Sequence, residues 1–180
     1  MLNTYNSDGL LVKTLYQKTY LNIPSCDMNG IYGQQYEYNS FGQPVTVSYL
    51  NRDGEIFDCR YGWAKAVYTY NEKGLITGQQ FKDKNDKNVW NKNVSLTQLT
   101  YDENNNLVGM FCYDEDGKLC DTSFGYAMRS YEYNEKYLLA GYSCYNAEKA
   151  PAYDENGVHK YVYTLNDKGQ IVEFSFYDTY

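Results

Sequence analysis

Six segments of this chain superimpose on one another: TYNSDGLLV, EYNSFGQPV, TYNEKGLIT, TYDENNNLV, EYNEKYLLA and TLNDKGQIV. Their anchor residues, Tyr5, Tyr38, Tyr70, Tyr101, Tyr133 and Leu165, are separated by 33, 32, 31, 32 and 32 residues. A fixed period of this length means that one supersecondary unit recurs and that neighbouring units must stack to bury what each leaves exposed. The sequence therefore has to be read as an array before any single element is assigned.

Each column of the repeat carries its own chemistry. Two residues before the anchor stand Asn3, Tyr36, Tyr68, Leu99, Tyr131 and Tyr163. Positions two apart share one face of a strand, so Tyr36, Tyr38, Tyr68, Tyr70, Tyr101, Tyr131, Tyr133 and Tyr163 predict a tyrosine ladder across neighbouring strands. After the anchor come Asn6, Asn39, Asn71, Asp102, Asn134 and Asn166, then, three residues later, Gly9, Gly42, Gly74, Asn105, Tyr137 and Gly169. An Asx side chain that caps its own backbone, followed by a residue suited to positive φ, is hairpin-turn chemistry. Tyr137 departs from it and predicts an altered fifth turn. Leu11, Pro44, Ile76, Leu107, Leu139 and Ile171 lead a second strand, with Tyr16, Tyr49, Phe81, Cys112, Cys144 and Phe176 five residues on. A second turn follows, written NRDGE, DEDGK, DKNDKN or NAEKA, and then a column of Gly30, Gly62, Gly125 and Gly157 with an aromatic or aliphatic neighbour.

Composition agrees. Tyr supplies 23 of 180 residues, against 7 Phe and only 3 Pro, and no window has a helical period. The expected fold is all-β: about six hairpin units of 32 residues forming an elongated, twisted β-ribbon or solenoid. One domain over residues 1–180 is expected, with units starting near residues 3, 36, 68, 99, 131 and 163. Both ends are expected to lack caps, so the chain reads as part of a longer array or as one whose ends a partner covers.

The pattern Y-x-Y-[ND]-x-x-G-x-[LIV], then an aromatic, D-x-D-G-K and G-[YW]-A, resembles the tyrosine-aspartate repeats of bacterial Rhs-type and related surface proteins. The resemblance runs over nearly the whole chain. It is to a divergent member, since the unit is longer than usual and the Arg that often follows the turn Gly is replaced by Leu, Gln or Asn. It implies long β-ribbons, bacterial and often extracellular, that act as adhesive, carbohydrate-binding or toxin-encasing scaffolds, and it carries over no catalytic residue.

Several residue groups compete with a purely architectural reading. Trp63, Trp90 and Tyr126 are aromatic outside the ladder and are the candidates for contact with a partner or a sugar ring. The turns at Asn51–Gly54 and Asp114–Gly117 offer oxygens to a hard cation, but lack the further acidic positions of a calcium loop, so no metal and no cofactor is expected. Cys26 with Cys59, and Cys112 with Cys144, occupy equivalent positions. With two strands per unit they stand roughly 10 Å apart, too far for a disulfide, so the odd set of 5 Cys reads as free thiols. His159 is the only histidine, which removes most acid–base, triad and zinc arrangements.

Carboxylates recur with the turns rather than breaking the repeat, so no enzyme is expected. A net charge of −7, spread along the chain, gives no basic stripe for nucleic acid, and no apolar run is long enough for membrane insertion. The chain as given starts without the pattern of an export signal, and its localisation is unassigned beyond the surface or secreted setting that the resemblance suggests. The functional expectation is a structural or interaction module that contacts a protein partner or adjacent repeats. The competing expectation is a glycan-binding module using exposed aromatics.

Overall fold

The computed structural model describes residues 1–18, 23–90 and 94–179. The chain divides into two compact units, Met1–Asn91 and Lys92–Tyr180. In the first, β1 (Leu2–Tyr5), β2 (Leu11–Leu15), β5 (Gly33–Tyr38), β6 (Pro44–Leu50), β7 (Lys65–Tyr70) and β8 (Ile76–Lys82) lie side by side in that order. The two-residue strands β3 (Gln17–Lys18) and β4 (Ile23–Pro24) pair apart from that sheet. The second unit lays β9 (Leu96–Tyr101), β10 (Leu107–Tyr113), β11 (Met128–Tyr133), β12 (Leu139–Tyr145), β13 (Lys160–Leu165) and β14 (Ile171–Tyr177) side by side, again in chain order. Among the described residues every strand pairing is antiparallel, so the all-β hairpin array read from the repeat is the architecture observed.

A single turn design closes the hairpins. In the first turn of the second unit copy, Asn39 accepts through Oδ1 from the amides of Phe41 and Gln43, both at 3.0 Å. Its own amide donates to the Gln43 carbonyl at 2.9 Å, while the amide of Gly42 donates to the Asn39 carbonyl at 3.0 Å. Asn6, Asn71, Asp102, Asn134 and Asn166 make the same pair of side-chain contacts. The fourth residue must be left-handed for the loop to close, and Gly9, Gly42, Gly74 and Gly169 take φ of 78°, 75°, 81° and 77° there.

The fifth turn is not altered. Tyr137 takes φ 58° and its amide donates to the Asn134 carbonyl at 2.9 Å, so the Asx cap and ladder impose the geometry on a residue that resists it. Asn105 does the same at 68° in the fourth hairpin, at less expense because Asn tolerates this region. The second turns reuse the design: Asn51 and Asp114 cap their own loops, and the degenerate versions put Asp86 at 66° and Lys149 at 64°.

Beyond the second turn, the second to fifth copies of the repeat fold back on the sheet. The amides of Phe57, Val89, Cys120 and Ala152 donate to the carbonyls of Tyr49, Phe81, Cys112 and Cys144 at 3.2, 3.1, 2.9 and 3.0 Å. This return buries the ends of the second strands. In the first unit the core is Ile31, Cys59 and Trp63, packed against Tyr16, Tyr49, Phe57, Phe81 and Val89. In the second, Cys112, Tyr126, Ala127, Cys144, Ala152 and Tyr161 are buried. All five cysteines are free; Cys59, Cys112 and Cys144 are buried, Cys120 is half-buried, and Cys26 is exposed.

Candidate functional site

The ladder tyrosines sit half-buried on their strands, with Glu37, Thr69, Glu132 and Thr164 exposed between them. Their phenols do more than stack. Tyr38 donates its hydroxyl to the Leu11 carbonyl at 2.6 Å, Tyr70 to Pro44 at 2.7 Å and Tyr133 to Leu107 at 3.0 Å. In each case the anchor of one hairpin grips the residue that leads the second strand of the hairpin before it. Leading residues lie at a bulge, where the ladder register shifts and a carbonyl is left to the side chain. The sixth anchor, Leu165, has no hydroxyl with which to make this latch.

Two of the three candidate contact residues belong to the core. Trp63 is 9% exposed and Tyr126 5% exposed, whereas Trp90 is 46% exposed. The correction has a simple cause: Trp63 and Tyr126 are not outside the repeat. They follow the left-handed Gly of the third turn, at the position that Ile31 and Val158 hold in other copies, and this position points back over the sheet. Trp63 packs edge-on to Tyr49 at 4.6 Å and tilts against Phe81 at 5.2 Å. The aliphatic members of that column were the signal, since a position filled by Ile31 and Val158 as readily as by Trp63 is chosen for volume.

Trp90 stands elsewhere. It follows Val89 as Asp58 follows Phe57, Asp121 follows Cys120 and Tyr153 follows Ala152. Asp58 accepts from the Lys84 amide at 2.8 Å, and Asp121 from the Ala147 amide at 2.9 Å, each stapling one return segment to the second turn of the following hairpin. Tyr153 instead hydrogen-bonds Asp178 and, at 2.8 Å, Thr179. The exposed indole of Trp90 therefore occupies a position used elsewhere to join consecutive hairpins.

Other exposed aromatics lie at the first-turn tips. Phe41 is 86% exposed and stands over a groove of about 410 Å³ that it lines with Gln43, Asn71, Glu72, Lys73 and Gly74. Gln43 crosses this groove to the Gly74 carbonyl at 2.9 Å. A flat apolar ring beside amides, a carboxylate and an ammonium is a surface that a sugar could use.

The repeat columns gave no warning of Arg129. It lies on the tyrosine face of β11, half-buried, with its guanidinium 4.2 Å from the Tyr126 ring and 4.9 Å from the Tyr142 ring. Its Nε has no hydrogen-bond partner, so aromatic faces supply much of what water would have given. Burial raises the neighbouring groups: the Tyr126 phenol is pushed up to about 12 against the pull of Arg129, and the Cys112 thiol to about 11. A thiol held protonated in this way is a small hydrophobe rather than a nucleophile.

The turn oxygens, His159 and one buried carboxylate are all engaged within the fold. The Oδ1 atoms of Asn51 and Asp114 are taken up by amides of their own turns, and among the described residues no three His, Cys, Asp or Glu side chains converge on one point. His159 Nδ1 lies 2.8 Å from the Cys144 carbonyl, to which it donates, in a position held by Ala64, Ser95 and Ala127 in other copies. Buried Asp154 accepts from the Tyr161 hydroxyl at 2.6 Å and from the amides of Asn156 and Val158 at 2.9 and 3.2 Å. Its desolvation is outweighed by these bonds, which hold the carboxyl below its ordinary value.

No known protein family and no curated protein matches the sequence. Among solved structures, the chain is similar to a crystal structure of TcdB2-TccC3-TEV at 11% identity and a TM-score of 0.50, covering 96% of this chain and 10% of that one. It is also similar to TcdB2-TccC3 without its hypervariable C-terminal region, at 16% identity and a TM-score of 0.46, and to the Photorhabdus luminescens Tc holotoxin pore, at 12% and 0.48. These cover 99% and 96% of this chain and 9% and 10% of theirs, so the chain spans about a tenth of the length of such proteins. The first likeness speaks to the fold alone.

Proposed function

We propose that this chain is a non-catalytic structural repeat module of a bacterial toxin-type or surface protein, distantly related to the Rhs-type repeats, and that it works by protein contact with adjacent hairpins or a partner. The carrying observation is the set of latches in which Tyr38, Tyr70 and Tyr133 each bind the leading carbonyl of the preceding hairpin. The repeat's chemistry is directed at the neighbouring copy of the repeat. The Asx columns support the same reading: five of the six first-turn members are Asn, which is not ionisable, and Asp102 accepts from the amides of its own turn. The fold likeness to a much longer Tc toxin chain is in keeping with a module that forms one stretch of a larger scaffold.

A second reading rests on the groove at Phe41: a glycan-binding module that uses the exposed ring with Gln43, Asn71 and Lys73. Affinity electrophoresis through immobilised bacterial wall and host polysaccharides separates the two. The scaffold reading expects unretarded migration on every glycan. Retardation that disappears with Phe41→Ala would replace it with the glycan module.

A further inference from the structure

We propose that Cys112 and Cys120 form an oxidisable pair, a disulfide site that ties the return segment of the fourth copy covalently to strand β10. The site lies apart from the tyrosine latches and from the groove at Phe41, so it goes beyond the scaffold reading without depending on it.

The second turn of the fourth copy brings the two residues face to face. The Asp114 amide donates to the Lys118 carbonyl at 2.9 Å and the Cys120 amide to the Cys112 carbonyl at 2.9 Å. These bonds flank Tyr113 and Leu119, which oppose each other as an antiparallel bridge, and one rung further on Cys112 lies across from Cys120. Residues opposite one another in such a ladder have Cα atoms roughly 4.5–5.5 Å apart and side chains on one face, inside the roughly 4.4–6.8 Å that a disulfide spans. Equivalent pairs show that side chains at these two positions converge. Tyr49 with Phe57, and Phe81 with Val89, are joined by the same amide-to-carbonyl bond and pack against one core of Ile31, Cys59 and Trp63. The fifth copy has Cys144 with Ala152, and the fourth copy alone fills both positions with cysteine. Cys144 stands on β12, two strands from β10 across β11 and therefore roughly 10 Å away, so Cys120 is the partner within reach. After burial, the neighbouring Cys120 is the largest influence raising the Cys112 thiol, in keeping with that closeness.

The chemistry is thiol–disulfide exchange with a low-molecular-weight disulfide of the glutathione type. Cys120, half-buried where Cys112 is buried, meets the oxidant first. It loses its proton and attacks one sulfur of the oxidant, whose S–S bond breaks and whose other sulfur leaves with that proton as a thiol. The Cys112 sulfur then attacks the Cys120 sulfur, and its own proton goes to the second departing thiol. Two protein thiols are oxidised to one disulfide, and one small disulfide is reduced to two thiols. Burial and the carboxylates of Asp114 and Asp121 hold the Cys120 thiol above its ordinary value, so the first step is slow. In the second step Cys112, reluctant to ionise, meets a sulfur held beside it rather than one arriving by diffusion. The bond fixes Cys120 and with it Asp121, whose carboxylate accepts from the Ala147 amide at 2.9 Å in the second turn of the following hairpin. Oxidation therefore stiffens the junction between the fourth and fifth copies.

Disulfide mapping of the full chain tests this. The folded protein is incubated with oxidised glutathione at mildly alkaline pH, its remaining thiols are alkylated in denaturant, and it is digested with trypsin without reduction. Cys112, Cys120 and Cys144 fall in separate peptides, 93–118, 119–129 and 137–149. The expected product joins 93–118 to 119–129, lighter by two hydrogens than the separate peptides, and dithiothreitol releases it. In the oxidised chain, amide exchange at Cys120 and Ala147 should slow several-fold relative to the reduced chain. Cys120→Ser should abolish the cross-link, and Cys144→Ser should leave it in place. A link between 93–118 and 137–149 would overturn the proposal in favour of Cys112 with Cys144. Cys120 that stops at the mixed disulfide with glutathione, leaving Cys112 to be alkylated, would overturn it too. A correct link with unchanged exchange at both amides would remove its role at the junction between copies.

Discussion

Tyr137 shows how firmly the surrounding turn dictates a single backbone conformation. An L-residue in the left-handed region costs on the order of 1 kcal/mol or more, and a β-carbon with an aromatic ring gains nothing there that glycine lacks. The fifth hairpin keeps its hydrogen bonds regardless, at 2.9 Å from the Tyr137 amide and 3.0 Å from the Asn134 amide. Tyr137→Gly is therefore expected to stabilise the chain by about 1 kcal/mol, read as a higher midpoint in urea denaturation. An unchanged or lower midpoint would mean that the exposed ring makes compensating contacts. The same residue marks a limit of sequence reading: its column correctly located the turn, but the departure from glycine suggested a changed geometry. Local propensity lost to the Asn134 cap and the ladder behind it, neither of which can be weighed from one column.

At the level of the hairpin, the docking interaction has a polar component that can be added or removed. Tyr70→Phe takes away the bond to the Pro44 carbonyl while keeping the ring, and is expected to cost about 0.5–1.5 kcal/mol in thermal or urea unfolding. The reciprocal change is Leu165→Tyr, which offers the sixth hairpin the latch it lacks, with the Leu139 carbonyl as acceptor. It should raise the stability of the last hairpin, seen as slower amide exchange across β13 and β14. If Tyr70→Phe were neutral and Leu165→Tyr without effect, the latch would be a consequence of packing rather than a cause of it. The strand and turn positions were legible because each is set by residues within five positions of one another. The partners of the tyrosines were not, since a hydroxyl bonded 26 residues away leaves no local mark. The burial of Trp63 and Tyr126 is hidden for a related reason: taken singly each is a large aromatic outside the ladder, and only the column they share with Ile31 and Val158 marks the position as buried.

For the whole molecule, the aromatic content predicts a particular response to alkali. Burial raises the phenols of Tyr36, Tyr49, Tyr70, Tyr131, Tyr133, Tyr142 and Tyr163, and that of Tyr126 to about 12. Their folded values lie above the unfolded one of about 10, so the stabilisation they contribute is complete below that pH and drains away as pH climbs through the folded values. Absorbance of tyrosinate at 295 nm should lag behind that of free tyrosine and then rise together with loss of the β circular-dichroism signal. Independent titration near 10 with the spectrum intact would show the ladder to be more solvated than its burial indicates.

The latch carries one more consequence, for how the chain finds its own order. Since Tyr38, Tyr70 and Tyr133 all recognise the same kind of carbonyl, a newly formed hairpin could skip a neighbour and settle against the wrong one with almost the same bonds, a hazard common to tandem arrays. The irregular fillings, Arg129 between two rings, Trp63 where other copies have Ile31, Tyr126 or Val158, and Leu165 without a hydroxyl, then act as fiducial marks. They make each junction slightly unlike the rest, so that only the native succession brings every mark to its complement.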